Sequence, residues 1–86
     1  MSGDYVYVVD QHVLQIFLSS KGRDRENLLR IFTYLSREPM QRGDYVQRSA
    51  AGRDLQVKRF GNWLVTYWTD YPVLELRIVD LKRLAP

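Results

Sequence analysis

From Leu55 to Val79, polar and apolar residues alternate through three short runs, LQVKR, WLVTYWT and LELRIV, separated by FGN and DYPV. Alternation with a period of two, β-branched and aromatic content, and Gly, Asn, Asp and Pro at the breaks predict three antiparallel strands joined by tight reversals. The first reversal decides which side chains share a face, because a one-residue slip exchanges the two faces. With Gly61 and Asn62 as a two-residue loop, Phe60 stands opposite Trp63 and both faces are mixed. One would carry Val57, Arg59, Leu64, Thr66 and Trp68, the other Gln56, Lys58, Phe60, Trp63, Val65 and Tyr67. With Phe60, Gly61 and Asn62 as a three-residue loop, Arg59 stands opposite Trp63. Leu55, Val57, Trp63, Val65 and Tyr67 then make an apolar face, with Gln56, Lys58, Leu64, Thr66 and Trp68 on the reverse. The cleaner sorting favours this second register. Leu74, Leu76 and Ile78 join its apolar face, Glu75, Arg77 and Val79 lie behind, and Gln56, Thr66 and Arg77 fall in one row.

Upstream, Tyr5 to Val9 (YVYVV) is a short β-rich run expected to join the sheet beside a later strand. Asp10 is placed as an N-cap for a helix from Gln11 to Ser19, with Val13, Leu14, Phe17 and Leu18 as its apolar stripe and Lys21 and Gly22 closing it. Asp24 is read as the cap of a second helix reaching about Arg37. There Leu28, Ile31, Phe32 and Leu35 recur at i, i+3, i+4 and i+7, and Pro39 ends it. Met40 to Asp54 reads as loop, within which Tyr45 to Gln47 can pair with the start of the Leu55 strand. The order predicts a two-layer α+β domain: an N-terminal strand, a helical hairpin, then a three-stranded antiparallel meander. One sheet face is covered by the helices. The other, carrying Lys58, Thr66, Trp68 and Arg77, is left open.

Composition narrows the chemistry. The 86 residues suffice for one domain, 1–86, and a hydrophobic fraction of 45% suits a folded globule. The chain has no cysteine, which removes disulfides and thiolate metal sites and agrees with a reducing cytoplasm. No apolar run approaches the roughly 18 residues of a membrane span, so no membrane partner is expected. His12 is the single histidine, against a histidine-based metal site or triad, and alone at a helix start it is ordinarily a surface residue. No phosphate loop or dinucleotide fingerprint occurs, so neither a cofactor nor a metal is expected. What remains is cationic. The net charge is +3, and Arg48, Arg53, Lys58, Arg59, Arg77, Lys82 and Arg83 gather in the sheet half of the chain. Interleaved with Trp68 and Tyr67 or Tyr71, they suit contact with a phosphate backbone and base stacking, or stabilisation of a phosphoryl transition state. Against this stands the plain alternative that they solvate an exposed sheet. Trp63 belongs to the apolar face, whereas an outward Trp68 marks a surface that a partner covers.

A short strand, a helical hairpin and a meander in which a cation-bearing strand precedes G-x-W-L-V-T-Y-W and then V-L-E-L-R-I-V-D resembles the RelE/ParE superfamily of toxins from type II toxin–antitoxin systems. The likeness spans nearly the whole chain in element order and is concentrated in residues from Gly52 to Lys82. It implies a small bacterial, cytoplasmic toxin whose basic face is occupied by a cognate antitoxin. RelE-like members cut messenger RNA on the ribosome, and ParE-like members poison DNA gyrase. Carried over position by position, the lysine of the second sheet strand corresponds to Lys58 and the last-strand arginine to Arg77. Gln56 and Leu64 stand where further basic residues are expected. Beyond Arg77, where nuclease members place histidine, arginine or tyrosine, this chain has Asp80, Lys82 and Arg83. In a ribonuclease the resemblance implies Lys58, Arg77 and Arg83 at the scissile phosphate and Asp80 as the base. Trp68 would stack a base, with Arg53, Arg59 and Lys82 along the RNA. That catalytic set is incomplete. A gyrase inhibitor, or an inactive binding module, would use the same surface for binding alone. The ending R-I-V-D-x-K is closer to nuclease members, so ribosome-dependent mRNA cleavage is the expected activity.

Overall fold

In a computed structural model, which describes residues 4–84, the chain runs β1 (Val6–Val9), α1 (Gln11–Ser19), α2 (Arg23–Arg37), β2 (Tyr45–Arg48), β3 (Asp54–Phe60), β4 (Trp63–Asp70) and β5 (Glu75–Arg83). The strands form one sheet in the order β1-β5-β4-β3-β2. Neighbours are antiparallel except β1 and β5, which the helical crossover makes parallel. The predicted two-layer α+β architecture holds, with Tyr45 to Arg48 adding an edge strand to the meander.

The helical period of α2 does what it predicts, since Leu28, Ile31, Phe32 and Leu35 are all buried. They meet Val13 of α1 and Trp63, Val65, Tyr67, Leu76, Ile78 and Leu81 of the sheet in one core. The stripe on α1 is narrower than expected. Val13, Ile16 and Phe17 face the core, but Leu14 and Leu18 remain 42% and 59% exposed. Helix caps also differ. α1 ends at Ser19, where the N–H of Ser20 donates to the Ile16 and Phe17 carbonyls. Gly22 precedes α2 instead, and Asp24 lies inside α2, paired with Arg83 rather than capping.

The hairpin register differs from the expectation. Phe60 pairs with Trp63, so Gly61 and Asn62 form a two-residue loop, and Gly61 takes φ +60°, where a Cβ is unfavourable. Directly opposed antiparallel residues point the same way. Gln56, Lys58 and Phe60 therefore lie on the helix side with Tyr67, Val65 and Trp63, while Leu55, Val57 and Arg59 lie on the open side. Leu74 is also displaced. It is an exposed turn residue with φ +56°, following a short 3-10 turn at Tyr71–Val73, and belongs to no strand.

Between β4 and β5 the register shifts at Thr66/Tyr67, where Thr66 pairs with Asp80 but Tyr67 with Ile78. Val79 is thus an extra residue, a β-bulge. It lets Leu76, Ile78 and Leu81 all reach the core, although the last two are three positions apart.

Candidate nucleic-acid interface on the open sheet face

The pairing orders the open face in rows. Arg59, Leu64 and Lys82 lie across it near the β3–β4 turn, then Val57, Thr66 and Asp80, then Trp68, Arg77 and Val8. Six of the side chains singled out in the sequence, Arg53, Arg59, Trp68, Arg77, Asp80 and Lys82, therefore share this face. Leu55, Val57 and Thr66 form its floor and are 8% exposed or less.

Trp68 organises one end. The Arg53 guanidinium lies 3.6 Å from its ring centroid, a close cation–π stack, and the Arg77 guanidinium stands 6.0 Å away. Arg77 also donates to Glu75 at 2.9 Å, which fixes its fork against the sheet. Arg53 and Trp68 line a cavity of about 340 Å³ with Arg42, Gln56 and Tyr71. The indole with Arg53 stacked on it is a flat layer, and a nucleobase inserted there exchanges one flat partner for another. Arg59, whose Nε donates to the Gly61 carbonyl, holds the opposite end.

Two residues assigned to the site by resemblance are elsewhere. Lys58 lies on the helix side, 3.6 Å from the Asp44 carboxylate and 5.8 Å from the Phe60 ring, with its side chain 23% exposed. Arg83 faces the helix side opposite Trp63, lies 5.6 Å from the Trp63 ring and pairs with Asp24 of α2. Both follow from strand parity. The one-residue register change puts Arg59 where Lys58 was placed, and the bulge turns Arg83 inward. The row of Gln56, Thr66 and Arg77 likewise separates: Gln56 is on the helix side, where its Oε1 accepts from the Gly43 N–H.

The connection from Pro39 to Asp44 closes the helix side at this end. Its carbonyls accept from the Thr69 and Tyr67 hydroxyls, at Pro39 and Gln41. A Cβ at Gly43 would meet the backbone of Val57 at 2.5–2.9 Å, so only glycine allows this approach. Asp44 accepts from the Arg59 backbone N–H, the main cause holding its carboxyl below the usual range, with Lys58 adding to it. Burial pushes the Tyr67 phenol up to about 12.

His12 is exposed near the helix start, as expected, and it has a partner across the fold. Its Nε2 lies 2.8 Å from Asp80 Oδ1, at the end of β1 where α1 begins and the β5 edge is no longer paired. The two residues are 68 apart in the chain. Only the parallel β1–β5 pairing brings them together. Among the described residues, no group of three His, Cys, Asp or Glu side chains could hold a metal ion, and no helix is long and apolar enough to cross a membrane.

No protein-family model matches the sequence, and no curated protein does. Solved structures do. A chain of the archaeal RelE–RelB complex from Pyrococcus horikoshii superposes with a TM-score of 0.72 at 20% identity, covering 93% of this chain and 94% of its own. A chain of the toxin–antitoxin complex RelBE2 from Mycobacterium tuberculosis does so with a TM-score of 0.78 at 21% identity, covering 96% and 94%. With two helices over one face of a five-stranded mixed sheet, matched over nearly its whole length, the chain has the fold of the RelE toxins.

Proposed function

We propose that the chain is the toxin of a type II toxin–antitoxin pair, working in the cytoplasm, and that it binds messenger RNA on the ribosome through the open sheet face and cleaves it. One observation carries this: on the face of a RelE fold that no helix covers, Arg53 stacks on Trp68 and Arg77 stands 6.0 Å from the same ring. Arginine supplies both a planar fork for a phosphate and a flat surface for a base, and the indole supplies a stacking platform. Arg59 and Lys82 extend the positive charge towards the β3–β4 turn, beside Leu64, four residues along β4 from Trp68. A cognate antitoxin would silence the protein by covering this face, as the exposure of Arg53 and Arg59 allows.

The test is induced expression without an antitoxin. Growth should stop, and primer extension on translated messages should show new ends at codon-linked positions. Trp68→Ala and Arg77→Ala should relieve the arrest while the protein remains folded. Growth arrest with intact messages and blocked DNA supercoiling would place the target at gyrase, and unimpeded growth at good expression would refute the toxin reading altogether.

A further inference from the structure

We propose that His12 is the general base of the cleavage reaction and that Asp80 positions it; this rests on the reading of the open face as an RNA-cleaving surface. A ribonuclease of this kind needs a group to take the 2′-hydroxyl proton. Lys58 and Arg83, given to the chemistry by resemblance, are on the wrong side of the sheet. Asp80 is not, and His12, on α1 beside Leu81 and Arg83, meets it at the β5 edge. Asp80 pairs with Thr66 on the open face, and its carboxylate meets His12 Nε2 at 2.8 Å. The side chains are 61% and 54% exposed, so a bound strand can reach them.

Chemistry fixes the tautomer. An ionised carboxylate only accepts hydrogen bonds, so the imidazole nitrogen facing it carries the hydrogen. Nε2–H donates to Asp80, and Nδ1 is left with its lone pair free. A carboxylate that orients an imidazole in this way also stabilises the imidazolium formed when the ring takes a proton.

The bulge at Val79 puts this dyad beside the cations. Arg77 and Asp80 are three residues apart, and on a regular strand they would point to opposite faces. With Val79 inserted, both face outward, as does Lys82. Bulges of this kind commonly re-aim a side chain next to an active site. A phosphate over β5 would then have Arg77 and Lys82 for its charge and His12 at the β5 edge.

His12 Nδ1 takes the proton of the ribose 2′-hydroxyl, the 2′-oxygen bonds to phosphorus, and the phosphorus bond to the 5′-oxygen breaks. The 5′-oxygen takes a proton from water, and His12 later returns its own to solvent. The products are a 2′,3′-cyclic phosphate and a 5′-hydroxyl.

The experiment is single-turnover cleavage of a labelled message on programmed ribosomes, with thermal unfolding run on every variant. His12→Ala should cut the rate about 10²–10⁴-fold, the usual contribution of a positioned base. Added imidazole should restore part of that rate, which a structural role would not allow. Asp80→Asn should lower the maximal single-turnover rate and leave the half-saturating concentration unchanged. A wild-type protein that cleaves, with His12→Ala cleaving as fast, or slowly but without imidazole rescue, would overturn the assignment of His12 alone. A wild-type protein that does not cleave would overturn the nuclease reading as well.

Discussion

Replacing Tyr67 by Phe separates two effects of one buried phenol, and they have opposite signs. The Tyr67 ring is wholly buried and its hydroxyl donates to the Gln41 carbonyl at 2.8 Å, tying the α2–β2 connection to the sheet. Without it the carbonyl loses its partner, and Tyr67→Phe should cost about 1–3 kcal/mol at neutral pH. At high pH the hydroxyl becomes a liability. Burial, reinforced by the charges of Tyr34 and Asp44, raises its pKa from 10.0 to about 12. Between those values the unfolded chain releases a proton that the folded protein retains. The stability linked to the neutral phenol is therefore present below pH 10 and lost as pH rises towards 12. The ceiling is about 2.7 kcal/mol, from two pH units at about 1.36 kcal/mol each. The hydroxyl lies beneath a connection whose Met40 is 74% exposed, and solvent screening brings the expected loss to roughly 1–2 kcal/mol. Urea unfolding of both proteins from about pH 8 to pH 12 measures the difference. The wild type should be the more stable at the lower end, and its advantage should shrink above pH 10. A gap that stays constant across the range would refute the account of a buried, proton-retaining phenol.

Other perturbations test the face assignment and the connection beneath it. Arg77→Ala should reduce the salt dependence of binding to single-stranded RNA by about 0.7 in log–log slope, one lost phosphate contact, while Lys58→Ala leaves the slope unchanged; filter binding across salt concentrations distinguishes them, and equal effects would put Lys58 back on the binding face. Gly43→Ala drives a Cβ into the Val57 backbone and should destabilise by about 1–3 kcal/mol or more in urea unfolding, because no side chain can move aside. Asp44, held below its ordinary pKa, contributes stability that is present above pH 3.8 and lost as pH falls through the lower folded value. Acid titration of wild type against Asp44→Asn should show that loss only in the wild type.

The strand breaks, the α2 period and the order of elements were legible because each is a local property of the chain. The two faces of the sheet were not. Sorting polar from apolar residues assumes that the uncovered face is polar, and here Leu55 and Val57 floor it while Lys58 sits on the helix side. Lys58 tolerates that place because its ammonium meets Asp44 and stands over the Phe60 ring. The local signal pointed the other way: a Gly-Asn pair is itself a mark of a two-residue hairpin. Turn chemistry here outranks the face pattern. The stripe on α1 misled for a related reason. α1 packs mainly along β5, near the margin of the sheet, and a helix at a margin is covered over a narrower arc than one laid across the centre. Leu14 and Leu18 fall outside that arc.

The bulge at Val79 could not be read from the sequence either, and both layers depend on it. The core needs Ile78 and Leu81 on the same side, and the open face needs Arg77 and Asp80 on the other. Neither pair satisfies strand parity, since each spans three residues. A single inserted residue corrects both at once. A strand carrying this sequence without the bulge would have to bury Asp80 or expose Leu81, and an unpaired buried carboxylate is the dearer of the two. Hydrophobic burial of Leu81 therefore holds the bulge in place, and the bulge in turn sets Asp80 beside His12 on the same face as Arg77 and Trp68. The arrangement of charge on the uncovered face is fixed by packing on the covered one.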